Sequence, residues 1–168
     1  MITNRKIDVV KRIAFVASDN NRKSLIEWSY DNQEVLKHHE LIAAGTMADI
    51  LEGTIGVPVT RLHDGASAGN EQLATRITAQ QIDILVFFWD AVQPPQYESG
   101  VRALYDMAVA GNIIIAANQA TADFVLSSQL MNKTHSVPVL PAIQRVRTGT
   151  YYNTDASRQA FLKLNTIN

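Results

Sequence analysis

The strongest constraint on this chain is a rhythm of strand-length apolar runs at residues 12–17, 40–44, 57–62, 82–88 and 113–117, separated by longer stretches with helical spacing. Strands buried on both faces read as continuous apolar runs, and strands that alternate with helices pair in parallel. The pattern predicts an α/β fold: a single three-layer domain, a mostly parallel sheet with helices on both faces. Helical faces are expected from Leu25, Ile26 and Trp28 with Val35 and Leu36, from Met47, Ile50 and Leu51 up to Gly53 or Gly56, from Leu73 and Ile77, and from Val101, Leu104, Ala108 and Val109. Ser18, Asp19, Asn20 and Asn21 offer N-cap oxygens to the first helix. A last strand is expected at residues 137–140 and a short helix at 156–164.

Composition narrows the function. The chain has 168 residues, 46% of them hydrophobic, so one core suffices without staples. With 15 Lys+Arg against 16 Asp+Glu, the formal charge of −1 offers no net field to a nucleic-acid backbone, so no nucleic-acid partner is expected. Zero cysteines exclude thiolate chemistry and fit a reducing compartment. The longest apolar run, residues 84–89, falls far short of the roughly 20 needed to cross a bilayer, so no membrane partner is expected either. Arg5, Lys6, Lys11 and Arg12 precede an apolar stretch too short for a secretion signal. A cytoplasmic protein is the expectation.

In an open parallel sheet, ligands sit beyond the carboxyl ends of the strands. That points to residues 18–23, 44–48, 63–72, 90–100 and 118–123. No G-x-G-x-x-G, Walker or G-x-S-x-G motif is present, and His38, His39, His63 and His135 lack metal-ligand spacing, so no metal site is expected. Gly45-Thr46 reads as a phosphate cradle or as a plain helix cap. The stretch from Asp64 to Asn70 reads as an anion nest or as a flexible loop. Asp19, Arg22 and Lys23 place a carboxylate and two cations at one strand end, as a site or as a solvated cap. Asp90, directly after an apolar strand, is a functional-edge carboxylate or a turn residue before Pro94-Pro95. Thr121 is expected to cap the helix that follows Asn118, with Asp123 near its positive end.

Together these stretches resemble the methylglyoxal synthase family. The resemblance covers residues 11–145, leaving 1–10 as an N-terminal extension and 146–168 as a C-terminal tail. It rests on K-R-I-A-F-V-A-x-D at 11–19, H-E-L-x-A-x-G-T at 39–46, I-D-I-L-V-F-F-W-D at 82–90 and A-x-N-x-A-T-A-D-F at 116–124, in order. It implies a homohexamer without metal or organic cofactor that converts dihydroxyacetone phosphate to methylglyoxal and inorganic phosphate. Such chemistry needs a base to form an enediolate, donors for the oxyanion and a cradle for the leaving phosphate.

Carried over by position, Asp19, Gly45, Thr46 and Asp90 match the family, and its cradle lysine falls on Arg22, beside Lys23. Its histidine before Asp19 is Ser18 here, and its G-T-T turn reads Gly45-Thr46-Met47 after Ala44 in place of a threonine. The catalytic loop runs from His63 to Gln72, one residue longer than the family pattern, and places the base at Asn70, with Asp64 and Glu71 as the nearby carboxylates. The family's carbonyl-side histidine falls on Tyr97 and the aspartate beyond it on Gly100. A neutral amide cannot accept the proton, so impaired catalysis is expected. Three readings follow: a lyase with a recruited base among Asp64, Glu71 and Asp90; a non-catalytic or regulatory binder of a small phosphorylated metabolite; and an assembly partner using Trp28, Trp89 or the tail.

Overall fold

Side-chain alternation along β2 (Arg12–Ala17) sets up two cores at once, because Ile13 and Phe15 point to one face of a sheet and Ala14 to the other. The computed structural model describes residues 3–63, 66–90 and 98–140. Five parallel strands lie in the order β4 (Val59–Leu62), β3 (Glu40–Ala44), β2, β5 (Ile84–Phe88), β6 (Ile114–Ala116). On one face, Phe15, Ala43 and Val86 pack beneath α1 (Arg22–Asp31), α2 (Gln33–Leu36), α3 (Gly45–Ile55) and α6 (Gln119–Ser127), through Leu25, Leu36, Leu51 and Ala122. On the other, Ala14, Ile42 and Leu85 meet Leu73 and Ile77 of α4 (Ala66–Thr78) and Leu104 and Met107 of α5 (Glu98–Ala110). The chain thus forms the expected α/β domain, with the strand order reversing direction at the β2–β5 junction.

The differences from expectation have local causes. β4 begins only at Val59, after Pro58, which has no N–H for a ladder. Of the two glycines near the end of α3, it is Gly56 that stops the helix, at φ 80°, a left-handed conformation costly for other residues. Val109 is 48% exposed rather than part of the buried face of α5.

The last strand is β7 (His135–Pro138), which stays out of the main sheet and pairs antiparallel with β1 (Asn4–Ile7), inside residues 1–10. β1 alternates exposed and buried positions, and turns Arg5 and Ile7 inward. Asp83, 1% exposed, takes Arg5 at 2.7 Å and Arg12 at 2.9 Å, and its second oxygen accepts the Arg12 backbone N–H at 2.9 Å. Burial pushes the Asp83 carboxyl up, but the hydrogen bonds from Arg12 and the charges of Arg12 and Arg5 outweigh it and hold the group below its ordinary 3.8. Beside this pair the Lys11 ammonium is buried on the carbonyls of Asp8 and Lys133, and burial lowers its pKa. The Lys11 backbone N–H donates to His39 Nδ1 at 3.0 Å, which requires that nitrogen unprotonated. Burial, then the charges of Lys11 and His38, lower the His39 pKa accordingly.

Among the described residues no helix is long and apolar enough to cross a membrane. Residues 141–168, with the expected helix at 156–164 and the tail, lie outside the described residues.

Asp83→Asn leaves the Arg5 guanidinium buried without its counter-charge, and the expected loss is about 3–5 kcal/mol, read as a lower urea midpoint. Because the folded pKa of Asp83 is depressed, its contribution is complete above the ordinary 3.8 and disappears as pH falls below that toward the folded value. The variant should lack this acid limb; an unchanged midpoint and limb would refute the role given to Asp83.

Candidate functional site

A cavity of about 700 Å³ opens at the carboxyl ends of β2, β3 and β4, beside the strand-order reversal. Its polar residues are Ser18, Asp19, Asn20, Arg22, Thr46 and Asn70, and its walls include Phe15, Leu62, Leu73 and Trp89. Arg22 and Asp19 are the ionisable side chains among the described lining residues.

The features suited to an anion centre on α3. Gly45 sits at φ 52°, where a side chain would be strained, and swings the chain from β3 into the helix. The N-cap, Ala44, has no side chain able to cover the first-turn N–H groups, and no acidic residue lies in that turn. The helix therefore presents free amide dipoles beside the cavity, with Gly45, Thr46 and Met47 all lining it. Arg22 Nη2 donates to Thr46 Oγ1 at 3.1 Å, bringing a guanidinium and a hydroxyl to the same point. By contrast, α6 is closed by its own cap: Asn118 Oδ1 accepts from the Thr121 N–H and hydroxyl, both at 2.8 Å. Thr121 is thus the donor and Asn118 the cap. Asp123 accepts the Trp28 indole N–H at 2.8 Å, a structural tie between α6 and α1.

Lys23 does not join Arg22. It lies exposed, 3.7 Å from Glu27 on the same helix, and does not line the cavity. Ser18 is buried, and its hydroxyl accepts from Asn21 Nδ2 at 2.7 Å and from the Asp90 N–H at 3.2 Å, tying the end of β2 to the end of β5. Asn20 Nδ2 donates to the Asp90 carboxylate at 3.1 Å. Asn20 and Asn21, expected to cap α1, therefore turn back onto Asp90 and Ser18, and α1 has no side-chain cap bond. Asp90 stands beside the cavity rather than in its lining, reached through Asn20.

The stretch expected to be a loop from Asp64 to Asn70 is helical from Ala66. Alanine favours helix, and the tight approach of α4 to β3 is made at Gly69. A Cβ there would sit 2.6 Å from Ala44 Cβ and 3.1 Å from the His63 carbonyl. Asn70 consequently lines the cavity, whereas Glu71 and His63 do not; the His63 N–H donates to Gln72 Oε1 at 2.6 Å. Asp64 and Tyr97 lie outside the described residues. Gly100, within α5, is also absent from the lining.

Trp28, a candidate subunit contact, is 2% exposed and packs edge-on against Phe88 at 5.8 Å. Trp89 instead lines the cavity and stacks on Phe87 at 5.9 Å. Asn20, Gly69 and the Trp89 wall are site features for which the sequence signals no binding role, although Trp89 lies in the 82–90 motif and Asn20 and Gly69 lie in the stretches that follow strands. Among the described residues no group of His, Asp and Glu converges in a way that would hold a metal ion.

No protein-family model matches the chain. It is similar to the methylglyoxal synthase of Coxiella burnetii (strain RSA 493 / Nine Mile phase I), 44% identical over 123 residues, which cover 73% of this chain and 86% of that protein. It is also similar to the methylglyoxal synthase of Proteus mirabilis (strain HI4320), 37% identical over 136 residues, covering 81% of this chain and 90% of the relative. The crystal structure of methylglyoxal synthase from Elizabethkingia anophelis NUHP1 matches with a TM-score of 0.75 and 36% identity, over 83% of this chain and 91% of that one.

Gly69→Ala should overpack the α4–β3 contact and cost about 1–3 kcal/mol in chemical denaturation. Ala44→Gly in the same chain removes the opposing Cβ and should recover part of that loss; strict additivity of the two changes would show that the contact is not the cause.

Proposed function

Because the chain belongs to the methylglyoxal synthase family, we propose that its cavity holds a small phosphorylated metabolite of the triose phosphate class and converts dihydroxyacetone phosphate poorly. The observation that carries the binding half is the uncapped first turn of α3, with Gly45 at φ 52° and Arg22 on Thr46, all on one cavity. A phosphate there accepts from backbone N–H groups, from the Thr46 hydroxyl and from the Arg22 guanidinium, whose charge offsets its own.

The catalytic half turns on Asn70. By family resemblance this is the position of the general base, and Asn70 lines the same cavity as Arg22 and Thr46. Removing the proton next to the ketone needs a group that binds it, and a carboxamide does not do so near neutral pH. Phosphate elimination from the enediolate is then limited by the first step, while the phosphate cradle continues to bind. This favours a phosphometabolite binder or regulatory member over an efficient lyase. A recruited carboxylate is the competing reading, and Asp90, held by Asn20, is its candidate among the described residues.

In parallel assays with dihydroxyacetone phosphate, methylglyoxal and phosphate should appear about two to four orders of magnitude more slowly than with the Coxiella burnetii relative. Asn70→Asp should raise the rate at least about tenfold. Equal rates for the two wild-type proteins would overturn the catalytic half.

Inorganic phosphate at about 100 times its Kd should stabilise the wild type by about 2.7 kcal/mol in thermal unfolding. Arg22→Ala should abolish that gain and Lys23→Ala should leave it, since Lys23 lies outside the cavity lining. Equal loss in both variants would point to diffuse charge rather than to the cradle.

A further inference from the structure

The β1–β7 ribbon is a two-stranded sheet of its own, and two strands alone are at best marginally stable. Side chains fasten it to the rest of the chain. Arg5 reaches Asp83, and Asn112 Nδ2 donates to the Pro138 carbonyl at 3.0 Å. The Lys11 ammonium bonds the carbonyls of Asp8 and Lys133, which lie just after β1 and shortly before β7. Lys11 is 1% exposed, and its backbone closes onto the start of β3. Its carbonyl accepts the Glu40 N–H at 2.9 Å, and its N–H donates to His39 Nδ1 at 3.0 Å.

The last of these bonds decides where His39 can take a proton. A ring nitrogen that accepts carries no hydrogen, so the neutral imidazole holds its hydrogen on Nε2 and a second proton must land on Nδ1. There it sets two N–H groups against each other and adds a charge beside the buried ammonium. The surrounding groups offer the imidazolium little in return. Asp83 is engaged by Arg5 and Arg12, the Asp8 carboxylate lies 2.8 Å from Lys6, and Glu40 is exposed. The other neighbours, His38 and Lys133, carry no negative charge.

We propose that Lys11 and His39 form an acid-operated latch: uptake of one proton on His39 Nδ1 breaks its bond to the Lys11 N–H and loosens the β1–β7 ribbon from the amino end of the main sheet. Burial, with the charges of Lys11 and His38, holds the His39 pKa below the ordinary 6.5. The latch therefore contributes fully above 6.5 and is lost as pH falls below that toward the folded value, a window that begins well above the Asp83 limb at 3.8.

Amide hydrogen exchange on the whole chain, read by NMR from about pH 7.5 to pH 5, tests the latch. Protection of the Lys11 amide and of the β1–β7 amides should fall at least about tenfold over that range, while amides in the β2–β5 pairing keep theirs. His39→Asn keeps an acceptor near the place of Nδ1 and removes the titration, so its protection should stay level. His38→Asn and His135→Asn should behave as the wild type; His135 lies on β7 with its Nδ1 buried and controls for titration within the ribbon itself. If His39→Asn does not fold, the wild-type imidazole carries the test: its NMR signals should show the Nε2–H tautomer and titrate below 6.5. Level protection in the wild type, a fall that persists in His39→Asn, or an imidazole that titrates at or above 6.5 overturns the proposal.

Discussion

The buried carboxylate of Asp83 is the interaction on which the arrangement most depends. Its backbone N–H donates to the Arg12 carbonyl and its carbonyl accepts the Ile114 N–H, so one residue joins the amino ends of β2, β5 and β6. Its side chain binds the Arg12 backbone N–H and the guanidinium groups of Arg12 and Arg5. The pairing that starts at Ile13 opposite Ile84 ends with Ala17 opposite Phe88. Ser18 and Asp90 then emerge close enough for the Ser18 hydroxyl to accept the Asp90 N–H. The distance between two site residues is thus fixed from the opposite end of the strands, by a group that the site never touches.

The cavity gains its character from what has been left out of it. The Lys23 charge is spent on Glu27, and Arg61 forms an ion pair with Asp49, so among the described lining residues the positive charge is that of Arg22. On the proposed reading, an anion is held by one guanidinium and by the uncapped amides of α3, whose dipoles are fixed before any ligand arrives. Dipoles of this kind act at short range, whereas the whole chain, at a formal charge of −1, offers no long-range attraction.

Much of this was legible along the chain. β2 and β3 occupy the runs at 12–17 and 40–44, and β5 lies within that at 82–88, because a strand covered on both faces reads as a near-continuous apolar run. Gly45-Thr46 marked the turn into α3, but that the turn lacks a side-chain cap and has a guanidinium beside it was decided by Ala44 at the N-cap and by Arg22 reaching Thr46 across 24 residues. The strand at 4–7 was missed because three of its four residues, Asn4, Arg5 and Lys6, are polar or charged and Arg5 faces inward, which reads as a polar segment unless Asp83 is known to be waiting. The helical start of α4 was missed because small residues such as Ala66 and Ala68 serve loops as well as helices.

The sequence by itself determined the α/β architecture, the two faces of the sheet and the strand ends at which a site must lie, since these follow from local periodicity and from the need to bury apolar side chains. The tertiary structure decided which polar residues share the cavity: Arg22 but not Lys23, Asn70 but not Glu71, and Asn20 turned toward Asp90 rather than toward its own helix. Neighbours in sequence on a helix point in different directions, about 100° apart at 3.6 residues per turn, so which of them faces a cavity is set by the packing of the helix as a whole. The pair Arg5–Asp83 is separated by 78 residues, and only the closed fold brings such groups within a hydrogen bond of each other.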